Sequence, residues 1–271
     1  LEACFIVLLP DDPAEILSSA ILVRCLKAQV EGAVVYAVVR DDLRWLIDRH
    51  PSLDGLFTWR EKPLELLEQL KDFLPDYVID LDGTRQVRRL KNRLKVLDFH
   101  IRRKRAGNEW PADAFATCRL FDVTDDGKGY AMVPEHYNAG LLPSEFLKGY
   151  VVLSLNSPAK VRALDDEWLT SMAVMTEKPM VITGNPEDRN LANRISQASG
   201  CAVFPACGDF TQAQTASLMS RAQGVIAFDP LWIVAAGSLG VPVINPATGS
   251  PESVALWARS QFKPKNGRNT L

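Results

Sequence analysis

The chain has 271 residues, which at about 150 residues per domain predicts two domains. Apolar residues make up 47% and charged residues 24%, so wholesale disorder is excluded, and 31 Lys+Arg against 33 Asp+Glu leave a net charge of -2, without the global basic excess expected of a nucleic-acid binder. No apolar run approaches the roughly 18–20 residues of a membrane span, and the first residues lack a secretory pattern, so the expected compartment is the cytoplasm. The five cysteines, Cys4, Cys25, Cys118, Cys201 and Cys207, include no CxxC pair and are expected to be reduced thiols, mostly in the core.

In chain order, an apolar strand at 4–9 stops at Pro10-Asp11-Asp12-Pro13 and is followed by helical spacing over 14–30. A strand at 33–39, a charged helix at 41–49, a strand at 55–58, a helix at 63–73 and a strand at 77–81 continue the alternation. Near-continuous apolar strands between amphipathic helices predict a parallel sheet covered on both faces. Over 106–148 Gly, Pro and Asp recur and periodicity fades, so this stretch is expected to connect two domains, 1–146 and 147–271. From 150 the alternation restarts, with strands at 150–155, 179–183, 202–204, 224–228 and 241–244 and helices at 165–176, 187–198, 211–222 and 231–239. The predicted fold class is α/β: two tandem Rossmann-like domains facing a cleft that would hold the ligand.

Three places carry residue types suited to chemistry. Asp11, Asp12 and Glu15 follow the first strand, where a carboxylate could act as a base; capping of the next helix by Asp11 or Asp12, with Pro13 at its first position and Glu15 in its first turn, is the favoured reading on spacing alone. The strand end Asp80-Leu81-Asp82 opens a segment with ten basic residues in 21 positions, among them Arg85, Arg88 and Arg89, opposed only by Asp98. Such clustering makes a local positive field for substrate anions, or a solvated helix face. In the second half Lys160 follows one strand end, where a phosphate could rest or the lysine is simply a surface one; Glu187 and Asp188 follow a second, where helix capping is the favoured reading over a ribose contact; and Asp229 opens a helix at a third, where the helix end would favour an anion. There is no GxGxxG, and His50, His100 and His136 have no partners at metal-ligand spacing, so neither a dinucleotide fingerprint nor a metal site is expected.

These stretches together resemble glycosyltransferase family 9, the bacterial heptosyltransferases of the lipopolysaccharide inner core, in the form found in Bacteroidetes-type genomes. Ile16 to Gln29 resembles the family's first helix. Tyr77 to Asp82 with Arg85 resembles its strand and basic stretch, and Asp125 to Gly129 a linker of the same group. Thr211 to Leu218, Val225 to Asp229 and Leu239 to Pro242 resemble the surroundings of its donor motif. The resemblance implies the GT-B architecture and inverting, metal-independent transfer of a heptose or related sugar, without a cofactor, from an ADP-sugar to an anionic glycolipid acceptor, with at most peripheral contact with the inner membrane face. It implies catalysis by Glu15 with Asp12, donor binding by Lys160, Glu187, Asp188 and Asp229, and acceptor binding by Arg85, Arg88 and Arg89. Two motifs depart from the family. Its first-loop Ser-x-Gly-Asp has Ala14-Glu15 in the corresponding positions, and its donor Asp-Thr-Gly-x-Met-His reads Asp229-Pro230-Leu231-Trp232-Ile233-Val234, which removes an amide donor, adds bulk and loses the histidine. A catalytically inactive relative that binds a glycan or a partner protein is the alternative.

Overall fold

The computed structural model describes residues 3–100, 110–130, 132–136, 139–156, 166–199 and 202–262. The chain divides into two compact units, Leu1–Val133 and Pro134–Leu271, a boundary earlier than the 146/147 expected from composition.

The first unit comprises β1 (Ala3–Leu8), α1 (Pro13–Gln29), β2 (Ala33–Arg40), β3 (Gly55–Trp59), α2 (Leu67–Asp72), β4 (Tyr77–Asp80), α3 (Arg85–Leu94), β5 (Leu97–His100) and α4 (Trp110–Thr117). Its five strands lie in the order β3-β2-β1-β4-β5, all parallel. Phe5, Ile6, Val7 and Leu8 are all buried, which is why β1 reads as an unbroken apolar run. Ile6, Leu8, Val38 and Val78 pack with Leu70, Val87, Leu90 and Leu94 of α2 and α3. Phe5 stacks on Tyr77 at 5.1 Å and meets Phe121 edge-on at 5.0 Å.

The second unit comprises β6 (Val151–Ser154), α5 (Asp166–Thr176), β7 (Met180–Thr183), α6 (Arg189–Ala198), β8 (Val203–Pro205), α7 (Gln212–Arg221), β9 (Gly224–Ala227), α8 (Pro230–Ser238), β10 (Val243–Ile244) and α9 (Pro251–Ser260). Its sheet is ordered β10-β9-β6-β7-β8, again all parallel. Counted from each unit's first strand, both sheets have the same order, 3-2-1-4-5. In each, the connections leave the first strand in opposite directions, opening a crevice beyond the carboxyl ends of β1 and β4 in one unit and of β6 and β9 in the other. Among the described residues no helix is long and apolar enough to cross a membrane.

Several elements differ from the periodicity reading. The helix expected at 41–49 is a 3-10 turn over Asp41–Leu46, and the one at 63–73 is a 3-10 turn, Pro63–Leu66, leading into α2. The basic segment contains a helix and an edge strand, α3 and β5. Val87, Leu90 and Leu94 are the only large apolar residues of α3 and sit among charges, and Lys95 ends the helix in the left-handed conformation with φ 56°. The loop after α4 is not a free connection: Arg24 grips both carboxylate oxygens of Asp126 at 2.5 and 3.0 Å. Gln29 and Thr124 exchange side-chain and backbone hydrogen bonds of 2.7 and 3.0 Å, so 124–129 is fastened to α1. These contacts join residues about a hundred apart, which no local periodicity reveals.

Candidate functional site

At the crevice of the first sheet, Asp12 is the N-cap of α1, its Oδ1 accepting from the amides of Ala14 at 2.9 Å and Glu15 at 3.0 Å, with Pro13 in the first turn. Glu15 is half-buried in that same turn. Asp11 lies 3.7 Å from the Arg40 guanidinium, which binds Asp42 at 2.5 Å.

Across the crevice, β4 ends at Asp80, 1% exposed. Its Oδ1 accepts from the Gly83 amide at 2.8 Å, and its Oδ2 faces the buried ammonium of Lys91 at 3.5 Å, an ion pair without hydrogen-bond geometry. Gly83, with φ 64°, makes the left-handed turn that a side chain would strain. Asp82 is 3% exposed; its Oδ2 accepts from the Thr84 amide at 3.1 Å, while its Oδ1 is buried with no hydrogen-bond partner among the described residues. Burial raises the proton affinity of Asp82 above that of an ordinary carboxylate; hydrogen bonds from Thr84 oppose the shift, and the negative charges of Asp11 and Asp80 add to it.

Thr84 caps α3 through a 3.3 Å bond to the Val87 amide. Helical spacing then puts Arg85, Arg88 and Arg89 on one exposed face, opposite buried Val87, Leu90, Lys91 and Leu94. The Arg88 guanidinium turns back toward the Gly83 carbonyl, 3.5 Å away. Arg102, Arg103, Lys104 and Arg105 lie outside the described residues. His50 is a core residue that stacks on Tyr130 at 5.3 Å and accepts the Ser52 amide on Nδ1 at 3.2 Å; burial lowers its pKa to about 4, against the opposing hydrogen bond with the Ala20 backbone. Cys118 and Cys207 are buried thiols with pKa values pushed up to about 11 and about 12, which suits packing rather than nucleophilic attack.

The carboxyl edge of the second sheet is built differently. Ser154 and Thr183, paired in register at the carboxyl ends of β6 and β7, are buried, and neither hydroxyl has a hydrogen-bond partner among the described residues. Asp188 closes a capping box with Asn185, and Glu187 beside it is exposed. Gly184 is tight, since a Cβ there would lie 3.0 Å from Asp188 Oδ2 and 3.1 Å from Cys207 Sγ. Asp229 caps α8, its Oδ1 holding the Leu231 amide at 2.9 Å, and Pro230 has no N–H to offer. The amino end of α8 therefore presents a carboxylate where an anion would need amides. Lys160 lies outside the described residues.

Of the sequence candidates, the first crevice gathers Asp12, Glu15 and the start of the arginine face of α3, while in the second unit Glu187 and Asp188 follow β7 and Asp229 follows β9, on opposite sides of β6. Asp82, Ser154 and Thr183 are not signalled by composition or spacing. The sequence sign for Asp82 is a carboxylate just past a strand end, and it gains meaning only once β4 is known to lie beside β1.

No protein-family model and no curated protein sequence matches the chain. Solved structures do. A glycosyl transferase family 9 protein from Veillonella parvula is similar with a TM-score of 0.73 at 14% identity, over 91% of this chain and 83% of that one. The ADP-heptose lps heptosyltransferase II of E. coli gives 0.62 at 16% identity, over 93% and 88%. E. coli heptosyltransferase WaaC, solved with ADP-2-deoxy-2-fluoro heptose, gives 0.67 at 14% identity, over 89% and 87%. What the chain shares with these proteins is their fold, so its two 3-2-1-4-5 sheets form a GT-B architecture.

Proposed function

We propose that this protein is a glycosyltransferase that moves a sugar from a nucleoside-diphosphate donor, with ADP-heptose or a related ADP-sugar the first candidate, to an anionic glycolipid acceptor. The observation that supports this reading is the fold likeness to two heptosyltransferases and a family 9 protein over about nine-tenths of the chain. In the proposed reaction an acceptor hydroxyl attacks the anomeric carbon, the bond from that carbon to the diphosphate oxygen breaks, and the nucleoside diphosphate leaves with the electron pair. Glu15 takes the hydroxyl proton as general base. Asp12 fixes the first turn that carries Glu15, and so acts as a positioning residue. Arg85, Arg88 and Arg89 hold acceptor anions, Lys160 offsets diphosphate charge, and Glu187, Asp188 and Asp229 line the donor side. The glycolipid would be met at the inner membrane face by peripheral contact.

Calorimetric titration with ADP, GDP, UDP and their sugar conjugates tests this. Saturable binding of one nucleotide class, lost in Lys160→Ala, is the expected result; the absence of binding to any overturns the reading. A second reading has its own observation. With Pro230 lacking an N–H and the Leu231 amide held by Asp229, the amino end of α8 is poorly made for a diphosphate. It supports a non-catalytic relative that binds a glycan or partner protein, and this reading predicts no response to any nucleotide.

A further inference from the structure

We propose that Asp82 is the centre of a carbohydrate subsite in the first domain, where its free carboxylate oxygen accepts a hydrogen bond from a hydroxyl of a sugar whose phosphate or carboxylate is held by the neighbouring arginine face of α3. The assignment of that sugar as the acceptor rests on the glycosyl-transfer reading; the existence of the subsite does not.

Three observations carry it. Asp82 stands at the topological switch point of the sheet, two residues past the end of β4 and across from the loop after β1, where ligands of such sheets bind. Its Oδ1 is a buried acceptor with no partner among the described residues, although nearly every buried polar atom in a folded protein has one. Among the described residues no cation forms an ion pair with Asp82: Lys91 pairs with Asp80, Arg40 with Asp42 and Asp11, and the Arg88 guanidinium turns to the Gly83 carbonyl, while the charges of Asp11 and Asp80 both act against the ionised form of Asp82. A carboxylate kept in that state costs stability unless a ligand completes it, and a hydroxyl completes it as a neutral donor.

The neighbouring charges define the ligand. Arg85, Arg88 and Arg89 begin three residues further on and share one exposed face, and the Arg88 guanidinium lies 3.5 Å from the carbonyl of Gly83, the residue next to Asp82. A hydroxyl acceptor and a cluster of guanidinium donors within one turn of chain suit a polyhydroxylated anion better than a bare anion, which Asp82 would repel.

The test is calorimetry on the full chain with mannose 6-phosphate and with inorganic phosphate as probes, comparing the native protein with Asp82→Asn. The amide variant keeps the Thr84 contact and removes the buried charge. Native protein is expected to bind the sugar phosphate at least about tenfold more tightly than phosphate, and Asp82→Asn to lose that preference, as expected for one hydrogen bond to a charged group. Its thermal midpoint is expected to hold or rise, whereas a purely structural Asp82 requires it to fall. Equal binding of both probes by the native protein, no binding of the sugar phosphate, or an unchanged preference in Asp82→Asn overturns the subsite; the last is the outcome if a buried water holds Oδ1. Nucleotide titrations in parallel separate the two ideas. Nucleotide binding with no sugar-phosphate preference removes the subsite and leaves the transferase reading standing. A preference lost in Asp82→Asn without nucleotide binding keeps the subsite and removes that reading.

Discussion

The two sheets have the same strand order, yet the residues at their carboxyl edges differ in chemistry. The first edge is charged and incompletely neutralised, with a buried Asp80–Lys91 pair, a buried Asp82 without an ion-pair partner among the described residues and an arginine face beginning at the next helix. The second has buried neutral hydroxyls, Ser154 and Thr183, and acidic residues engaged in capping, Asp188 and Asp229. Strand order therefore places a crevice, while the few residues after each strand decide what it can hold.

The sharpest break in this comparison is at Glu15. If the first crevice performs the proton transfer, Glu15→Gln lowers transfer by about 10²–10⁴-fold with the circular-dichroism spectrum unchanged. Full activity in that variant removes Glu15 from the chemistry. Next is Lys91→Met, which strands Asp80 as an uncompensated buried charge beside Asp82. Chemical denaturation is expected to show a loss of about 3–5 kcal/mol, and a loss under about 1 kcal/mol would show that the pair is not buried as described.

The pH dependence of stability gives a third measurement. His50 has a folded pKa of about 4 against 6.5 when free, so the unfolded chain binds the proton more readily. The stability from keeping it neutral is complete above the unfolded value and declines as pH falls from about 6.5 to about 4, by roughly 3 kcal/mol in all. Denaturation curves for the native protein and His50→Gln should differ in slope across that window, and parallel curves refute the assignment. A smaller effect is expected of Arg88→Glu with Arg89→Glu, which should weaken sugar-phosphate binding several-fold in about 0.01 M salt and much less in about 1 M, where screening is nearly complete. Unchanged affinity would return these arginines to a solvated face. Smallest of all, Ser154→Ala and Thr183→Val should change stability by under about 1 kcal/mol or raise it, because the hydroxyls they remove have no hydrogen-bond partner among the described residues. A large loss in either would show a contact that the second crevice does not otherwise display.

Where the elements are long, or apolar throughout, the sequence was legible. The runs at 4–9 and 33–39 mark β1 and β2 because a parallel strand covered on both faces has no polar side to interrupt it. The stop at Asp12-Pro13 marks the start of α1 because the cap chemistry is local to three residues. The edge strand β5 and α4 were not legible, one for its short alternation of apolar and polar residues, the other for lying in a stretch rich in Gly and Pro.

The site divides along the same line. Local sequence determined that carboxylates and arginines stand at strand ends, and that Pro230 and Leu231 replace small donor-motif residues. The caps at Asp12 and Asp229 are local as well. Only the tertiary structure decided which charged groups are spent on distant partners, Lys91 on Asp80 and Arg24 on Asp126. It also decided that Asp82, ordinary in the sequence, has a buried oxygen with neither a hydrogen bond nor an ion pair among the described residues. Whether a polar atom has a partner depends on residues that the fold brings from distant parts of the chain, as Arg24 and Asp126 show across 102 positions, and no reading of neighbours along the sequence contains that information.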